Sequence, residues 1–152
     1  MFAVILRFEL SAQAQEKIRW YEGKWHEMLA YAESACKPVL VEFTAEWCKP
    51  CKVMEKQVLS QNHVAAFVNR HFVSYRVDFD SDQWIAMRYQ AFRLPTFMVA
   101  MPGSGDEVGR FSSYREADSF LAQADTLLRE AVLLGQQQGI PTQDWERLLA
   151  KQ

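Results

Sequence analysis

The sequence has no long hydrophobic run, no marked excess of one charge and few cysteines. No stretch approaches the roughly 18–20 consecutive apolar residues that cross a bilayer. Seventeen lysines and arginines stand against nineteen acidic residues, so the net charge of −2 provides no positive excess for binding phosphates. Three cysteines are too few for a disulfide-stapled scaffold, and 152 residues can bury a core without one. These absences argue against a membrane span, a nucleic-acid partner and a disulfide-rich fold.

The composition is that of an ordinary globular protein. Hydrophobic residues make up 49% of the chain and charged residues 24%, which is too apolar for a disordered protein. The length suits one domain. There is no internal repeat, and the only low-complexity segment is the glutamine run at 136–138. We therefore expect function to depend on a few residues of one compact domain.

The N-terminal segment has some features of an export signal. Ala12 and Ala14 have the small-residue spacing of a cleavage site. However, no basic residues precede the apolar run, and Arg7 and Glu9 interrupt it. We predict a degenerate signal peptide and a periplasmic or otherwise exported protein. The alternative is an amphipathic segment packed on the domain of a cytoplasmic protein.

Hydrophobic periodicity predicts alternating helices and strands. The predicted strands are Val39–Phe43, Val73–Asp78, Thr96–Met101 and Val108–Phe111. The first predicted helix begins at Trp25 and ends before Pro38. The others cover Pro50–Leu59, His63–Asn69, Asp82–Tyr89 and Glu116–Leu134, and a short one follows Pro141.

This order predicts an α/β fold with a central mixed sheet and helices on both faces. The first strands must be parallel because helices join them, whereas a tight turn lets the last two be antiparallel. In such sheets, sites gather beyond the carboxyl ends of the parallel strands. The loop after Phe43 lies at such a position.

That loop leads into two cysteines, Cys48 and Cys51, separated by two residues at a predicted helix start. Such a pair can close and reopen a small disulfide ring. The helix N-terminus favours an anion at Cys48, and the thiolate is the nucleophile in disulfide exchange. We predict that Cys48 attacks and that Cys51, one turn later and more enclosed, resolves.

Two segments carry a family resemblance. The segment Val-Glu-Phe-Thr-Ala-Glu-Trp-Cys-Lys-Pro-Cys-Lys, at 41–52, resembles the active-site segment of the thioredoxin superfamily. Arg-Leu-Pro-Thr-Phe, at 93–97, resembles its cis-proline segment. The likeness runs from about Trp25 to Leu121. It is closer to the exported and domain-sized members than to small cytosolic thioredoxin, and the C-terminal domain of bacterial transmembrane disulfide reductases is similar. It implies a thioredoxin-like fold, here with a C-terminal helical extension.

The resemblance also implies roles for further residues. Pro95 would be cis and face Cys48, and the backbone of Leu94 would pair with an extended substrate segment around its disulfide. Leu94, Pro95 and Thr96 are the candidate substrate-binding residues of this segment. Trp47 would pack beside the disulfide and shield it.

Glu42 stands six residues before Cys48, where thioredoxins carry a buried aspartate. A carboxylate on an apolar strand is costly to bury and takes a raised pKa. We predict that Glu42 accepts the Cys51 proton during resolution. The alternative is a glutamate on a rim, paired with a lysine or with Arg76.

The remaining candidates have simpler interpretations. We divide the chain into an N-terminal segment (1–20), a thioredoxin-like domain (21–130) and a C-terminal helical tail (131–152), whose Trp145, Leu148 and Leu149 form one apolar stripe. Cys36 is predicted to be a small buried residue. His26, His63 and His71 have no ligand spacing and are expected at the surface or at helix ends.

The predicted function is a thiol–disulfide oxidoreductase that needs no metal, flavin or other cofactor. Pro50 before Cys51 resembles the reducing members of the superfamily, so we predict a protein-disulfide reductase. Its partners would be disulfide-containing proteins and an upstream thiol donor, and the chain would be a monomer or weak dimer. The alternatives are an isomerase or oxidase, a binding module without turnover, and a metal site, for which two of four zinc ligands are lacking.

Overall fold

The computed structural model describes residues 14–142 and Trp145. This part of the chain contains five α-helices and four strands. The helices are α1 (Trp25–Ser34), α2 (Lys49–Met54), α3 (Asn62–His71), α4 (Gln83–Arg88) and α5 (Ala117–Gln137), with a π-helical turn (Glu55–Leu59) continuing α2. The strands are β1 (Val39–Thr44), β2 (Val73–Asp78), β3 (Thr96–Ala100) and β4 (Glu107–Ser112). Most of the predicted signal segment and the residues Leu148 and Leu149 lie outside the described residues.

The four strands form one mixed sheet in the order β2-β1-β3-β4. β1 pairs in parallel with β2, with Val39 opposite Val73, while β3 is antiparallel to both β1 and β4. The carboxyl ends of β1 and β2 therefore meet at one edge, and α2 begins there. The predicted thioredoxin-like α/β fold is confirmed.

Side chains from alternate strand positions build a core on each face of the sheet. Val39, Val41 and Phe43 of β1 point into a core shared with α1 and α4. Leu40 points to the other face, into a core with α3 and α5. Glu42 also points to that second face, which makes it the one buried carboxylate among the described residues of β1.

Helix α5 runs to Gln137, past its predicted end at Leu134. Gly135, which follows the predicted end, lies inside the helix, and the returning chain packs against it. A Cβ at Gly135 would lie 2.7 Å from Cγ2 of Thr142 and 3.3 Å from the ring of Trp145. The glycine thus allows Trp145 to reach the core beside α5. The predicted division at residue 131 falls within this helix.

Cys36 is not fully buried, contrary to prediction. It follows α1 in the left-handed backbone region, with φ of 49°. Its N–H donates to the Glu33 carbonyl, and that of Lys37 donates to the Ala32 carbonyl, which satisfies the last carbonyls of the helix. This turn moves the thiol away from the core. His71 ends α3, as expected, but is buried.

Within residues 14–142, no helix is long and apolar enough to cross a membrane.

Candidate active site

The two cysteines of the Cys-x-x-Cys segment form a disulfide at the first turn of α2. The Cys48 and Cys51 Cα atoms lie 5.3 Å apart. Pro50 occupies the first turn of the helix, where a missing N–H costs no hydrogen bond. The side chains are about equally buried, with 4% of Cys48 and 3% of Cys51 exposed. The expected difference in enclosure between them is therefore small.

Their positions at the helix end do differ. Cys48 is the N-cap residue of α2, and its Sγ accepts a hydrogen bond from the Cys51 N–H at 3.2 Å. Cys51 lies inside the helix. An anion at the Cys48 sulfur would receive this hydrogen bond and the positive end of the helix dipole. In the reduced state, the arrangement favours the thiolate at Cys48.

The disulfide separates two clefts. Cys48 lines a cleft of about 350 Å³ whose other walls are Trp47, Lys49, Pro50, Phe92 and Leu94. Cys51 lines a cleft of about 310 Å³ that also includes Glu42, Lys52, Glu55, Arg76 and Asp78. Cys48 thus lies at a largely apolar cleft, whereas Cys51 lies at a charged one.

Two large aromatic side chains stand at the Cys48 cleft. Trp47 is 63% exposed and Phe92 is 59% exposed. Trp47 is held by its indole N–H, which donates to Oδ2 of Asp80 at 2.9 Å, and by edge-on contact with the Phe79 ring. Phe92 was not predicted from the sequence to be a site residue. Its position two residues before Leu94 was the available signal.

The segment before β3 forms the opposite wall of the Cys48 cleft. The Leu94–Pro95 peptide bond is cis, and the Pro95 carbonyl accepts the Ser113 N–H at 2.9 Å. Leu94 lines the cleft. The Thr96 side chain points into the protein, where its hydroxyl donates to the Arg93 carbonyl and pairs with Ser112. Its backbone is paired with Phe43 of β1 and Ser112 of β4, so Thr96 belongs to the sheet and does not line the Cys48 cleft, contrary to the predicted substrate contact.

The Glu42 side chain is buried rather than exposed on a rim, and it is paired with a charged side chain. Only 1% of its surface is exposed, and its Oε2 accepts the Arg76 Nε–H at 2.7 Å. Burial raises the pKa of Glu42 to about 7, although Arg76 acts in the opposite direction. The rim position is wrong, whereas the pairing with Arg76 is present. Such a carboxyl can gain or lose a proton near neutral pH.

Arg76 is held from three sides. Besides Glu42, its guanidinium binds Glu55 of the π-helical turn. It also lies over the Trp20 ring, 4.1 Å from the ring centroid. Trp20 precedes the first helix and reaches Arg76 because it forms a parallel bridge with Ser74 of β2. Neither Glu55 nor Trp20 was identified from the sequence, since each comes from a distant segment.

No cluster of three or more His, Cys, Asp or Glu side chains that could hold a metal ion occurs within the described ranges. The chemistry that this arrangement supports is thiol–disulfide exchange at a cysteine pair with a buried carboxyl in the cleft of Cys51.

Comparisons with known proteins give consistent matches. A family model described as Thioredoxin-like matches residues 19–102. Thioredoxin H2-1 of Oryza sativa subsp. japonica is 33% identical over 89 residues, covering 59% of this chain and 60% of that protein. The Pseudomonas aeruginosa thiol:disulfide interchange protein DsbD 1 is 38% identical over 101 residues, covering 56% of this chain and 16% of that protein. In both cases the match spans less than two thirds of the relative.

Solved structures match over a larger share. A thioredoxin from Thermus thermophilus superposes with a TM-score of 0.70 and 32% identity, covering 78% of this chain and 93% of that one. The oxidised C-terminal domain of DsbD from Neisseria meningitidis superposes with a TM-score of 0.57 and 24% identity, covering 66% of this chain and 89% of that domain. The second likeness concerns the fold alone.

Proposed function

Because this chain belongs to the thioredoxin-like family, we propose that it is a thiol–disulfide oxidoreductase that reduces disulfides in proteins. One observation carries the proposal. The Cys48–Cys51 disulfide begins a helix, and the Cys48 sulfur accepts the hydrogen bond of that helix N-terminus. A pure binding module has no need of this arrangement.

In the reaction, the reduced Cys48 thiolate attacks one sulfur of a substrate disulfide. That substrate bond breaks, a Cys48–substrate disulfide forms, and the first substrate sulfur leaves as a thiolate. The Cys51 thiolate then attacks Cys48, which releases the second substrate sulfur and forms the Cys48–Cys51 disulfide. Two electrons pass to the substrate, and its two sulfurs take up protons. A separate thiol donor then reduces the pair again.

Glu42 has the properties required to accept the Cys51 proton in the second step. Both residues line the same cleft, and the pKa of Glu42 lies at about 7 because of burial. A carboxyl that titrates near the working pH can both accept and release a proton. The cleft provides the path for direct transfer or for transfer through water. Arg76 would stabilise the carboxylate while the proton is absent.

The substrate would bind across the Cys48 cleft. Leu94 and Phe92 line one side of it and Trp47 another, together with Cys48. The backbone of Leu94, which precedes the cis proline Pro95, would pair with an extended segment of the substrate. The exposed indole of Trp47 would cover the mixed disulfide.

Pro50 supports the reducing direction. It precedes Cys51, as in the reducing members that the sequence resembles, where the disulfide form is relatively stable. An isomerase or oxidase is the alternative, and it would require a less stable Cys48–Cys51 disulfide.

Catalysed reduction of insulin by dithiothreitol tests the activity. The wild-type chain should accelerate the precipitation of the insulin B chain, and Cys48→Ser should abolish the acceleration. Cys51→Ser should trap a mixed disulfide with the substrate, visible by mass spectrometry. Cys36→Ser is the matched control and should retain full activity. No acceleration by the wild-type chain would contradict the proposal.

Two further expectations belong to the same proposal. Export to the periplasm rests on the spacing of Ala12 and Ala14, and fractionation of cells that express the tagged chain tests it. A monomer or weak dimer is expected, and sedimentation measures it.

A further inference from the structure

The charged groups around the disulfide are divided unevenly between its two clefts. The cleft of Cys51 is lined by four acidic residues and two basic ones, namely Glu42, Glu46, Glu55, Asp78, Lys52 and Arg76. Among the described residues, the only charged one that lines the cleft of Cys48 is Lys49. The side from which a substrate approaches the attacking sulfur is therefore positive, and the opposite side is acidic.

Two exposed cations, one on the Cys48 cleft and one in the segment that borders it, form no ion pair among the described residues. Lys49 and Arg93 are both exposed, and neither forms an ion pair within the part of the chain that the structure describes. Arg93 lies between Phe92 and Leu94, which both line the Cys48 cleft. The positive charge at this surface is thus available to a partner.

Two acidic residues whose partners lie at the two clefts, Glu46 and Asp80, form contacts of their own. Glu46 accepts a hydrogen bond from Nζ of Lys52 at 2.7 Å, on the Cys51 side. Asp80 accepts the indole N–H of Trp47 at 2.9 Å. Lys52 thus offsets the charge of Glu46, whereas Asp80 keeps its charge behind the Trp47 indole. The cations that line or border the Cys48 cleft are Lys49 and Arg93.

The same surface exposes apolar groups of the kind that anchor partners. Trp47 and Phe92 are each more than half exposed, and both line the cleft beside Cys48. Exposed aromatic side chains in a depression are typical of binding sites, and tryptophan dominates many interfaces.

We propose that the preferred substrates are extended polypeptide segments that carry an acidic residue beside the attacked cysteine and a large apolar side chain close to it. The apolar side chain enters between Trp47 and Phe92, and the acidic one pairs with Lys49 or Arg93. A basic residue at the same place is repelled. The inference rests on the proposed function, because it names the substrates of that reaction.

The test uses synthetic peptides with one internal disulfide and a leucine near the attacked cysteine. They differ only in the neighbouring residue, which is Glu, Gln or Lys. The rate at which each oxidises the reduced protein is followed by tryptophan fluorescence. Because a neighbouring charge also alters the intrinsic reactivity of a disulfide, each rate is divided by the rate of the same peptide with dithiothreitol.

After this correction, the Glu peptide should react about tenfold faster than the Lys peptide at an ionic strength of about 20 mM, with the Gln peptide between them. The ratio should fall to about twofold at about 500 mM, because salt screens exposed charges. Replacing leucine by glycine should slow all three peptides.

The variants locate the effect. Lys49→Gln and Arg93→Gln should each reduce the Glu-to-Lys ratio, and the double variant should bring it close to one. Lys56→Gln is the matched control, since this exposed lysine lies on the following helical turn and lines neither cleft. It should keep the ratio. Using a ratio cancels any change in the reactivity of Cys48 itself.

The outcomes separate the two proposals. Equal corrected rates for the three peptides, or an unchanged ratio in the double variant, would overturn the preference while the reductase function stands. If no peptide oxidises the reduced protein, the reductase function fails and the substrate class fails with it.

Discussion

Arg76 stands directly opposite Glu42 in the parallel pairing of β1 and β2, and its Nε–H donates to the carboxylate at 2.7 Å. The register of two strands thus places a fixed positive charge beside a buried carboxyl whose pKa is about 7. Because Cys51 lines the same cleft, this pair can serve the proton transfer that accompanies resolution. The first three predictions concern this pair.

Glu42→Gln should slow the attack of Cys51 on the mixed disulfide by about tenfold or more at pH 7.5, in line with the usual contribution of a general base. A chromophoric aromatic disulfide measures this step, because Cys48 releases one coloured thiolate and Cys51 releases the second. The experiment uses a Cys36→Ser background. In the parent protein the second phase should accelerate as the pH rises through about 7, where Glu42 ionises.

In the Glu42→Gln variant, that acceleration should move towards the ordinary thiol pKa of about 8.5. Glu55→Gln is the control, because it removes a carboxylate that binds Arg76 but not the buried one. An identical pH profile in the Glu42→Gln variant would exclude Glu42 as the proton acceptor.

The stability of the oxidised protein should decrease as the pH rises from about 4.5 to about 7. The pKa of Glu42 is raised from 4.5 to about 7 by burial, so the folded state holds this proton more tightly than the unfolded chain does. The group's contribution is complete below the unfolded pKa and is lost as the pH passes the folded one, with a size of about 3 kcal/mol. Urea unfolding at pH 5 and pH 8 measures it.

Glu42→Gln should lose less stability than the parent protein between those two pH values. An equal loss in the two proteins would show that other groups cause the pH dependence.

Trp20 should act as a positioning residue for Arg76. The indole lies 4.1 Å from the guanidinium, a contact worth about 0.5–2 kcal/mol. In Trp20→Leu, Arg76 is held less firmly beside Glu42, so the carboxylate loses part of its stabilisation. The pH at which the second kinetic phase reaches half of its maximal rate (its midpoint) should then rise by less than about one unit.

Trp20→Phe keeps an aromatic face and should restore most of the parent midpoint. A purely structural role would lower the melting temperature without moving the midpoint, and that result would contradict the assignment.

Ser113→Gly should stabilise the protein by about 0.5–1 kcal/mol. Ser113 has φ of 73°, a left-handed conformation that costs a residue with a Cβ more than it costs glycine. Ser112→Gly is the matched control, because Ser112 lies in β4, where a glycine should destabilise the protein. Thermal unfolding of both variants checks the sign, and a loss of stability in Ser113→Gly would contradict it.

The features that were predictable from the sequence are those encoded by neighbouring residues. Val73–Asp78 alternates apolar and polar residues, and its predicted bounds match β2. Cys48 and Cys51 are three residues apart at a helix start, so their pairing follows from local geometry. Burial of Glu42 followed from its apolar neighbours on the strand.

Other features depend on segments that meet only in the folded chain. Trp20 contacts Arg76 because the chain before α1 runs along β2, and no local pattern specifies that path. Phe92 becomes part of the site only because the segment before β3 approaches α2. The burial of Cys36 was wrongly predicted because a turn with positive φ after a helix normally contains glycine. A cysteine at that position does not indicate such a turn.

The reduction potential of the Cys48–Cys51 pair tests the central claim most directly. The protein is equilibrated with glutathione buffers, free thiols are blocked with a maleimide, and the two forms are quantified by mass. Cys48→Ser is the control without a redox pair. We predict a potential at or below about −230 mV, at which the dithiol is reducing against glutathione. A value of about −120 to −180 mV would contradict the reductase function and assign the protein to the oxidases and isomerases.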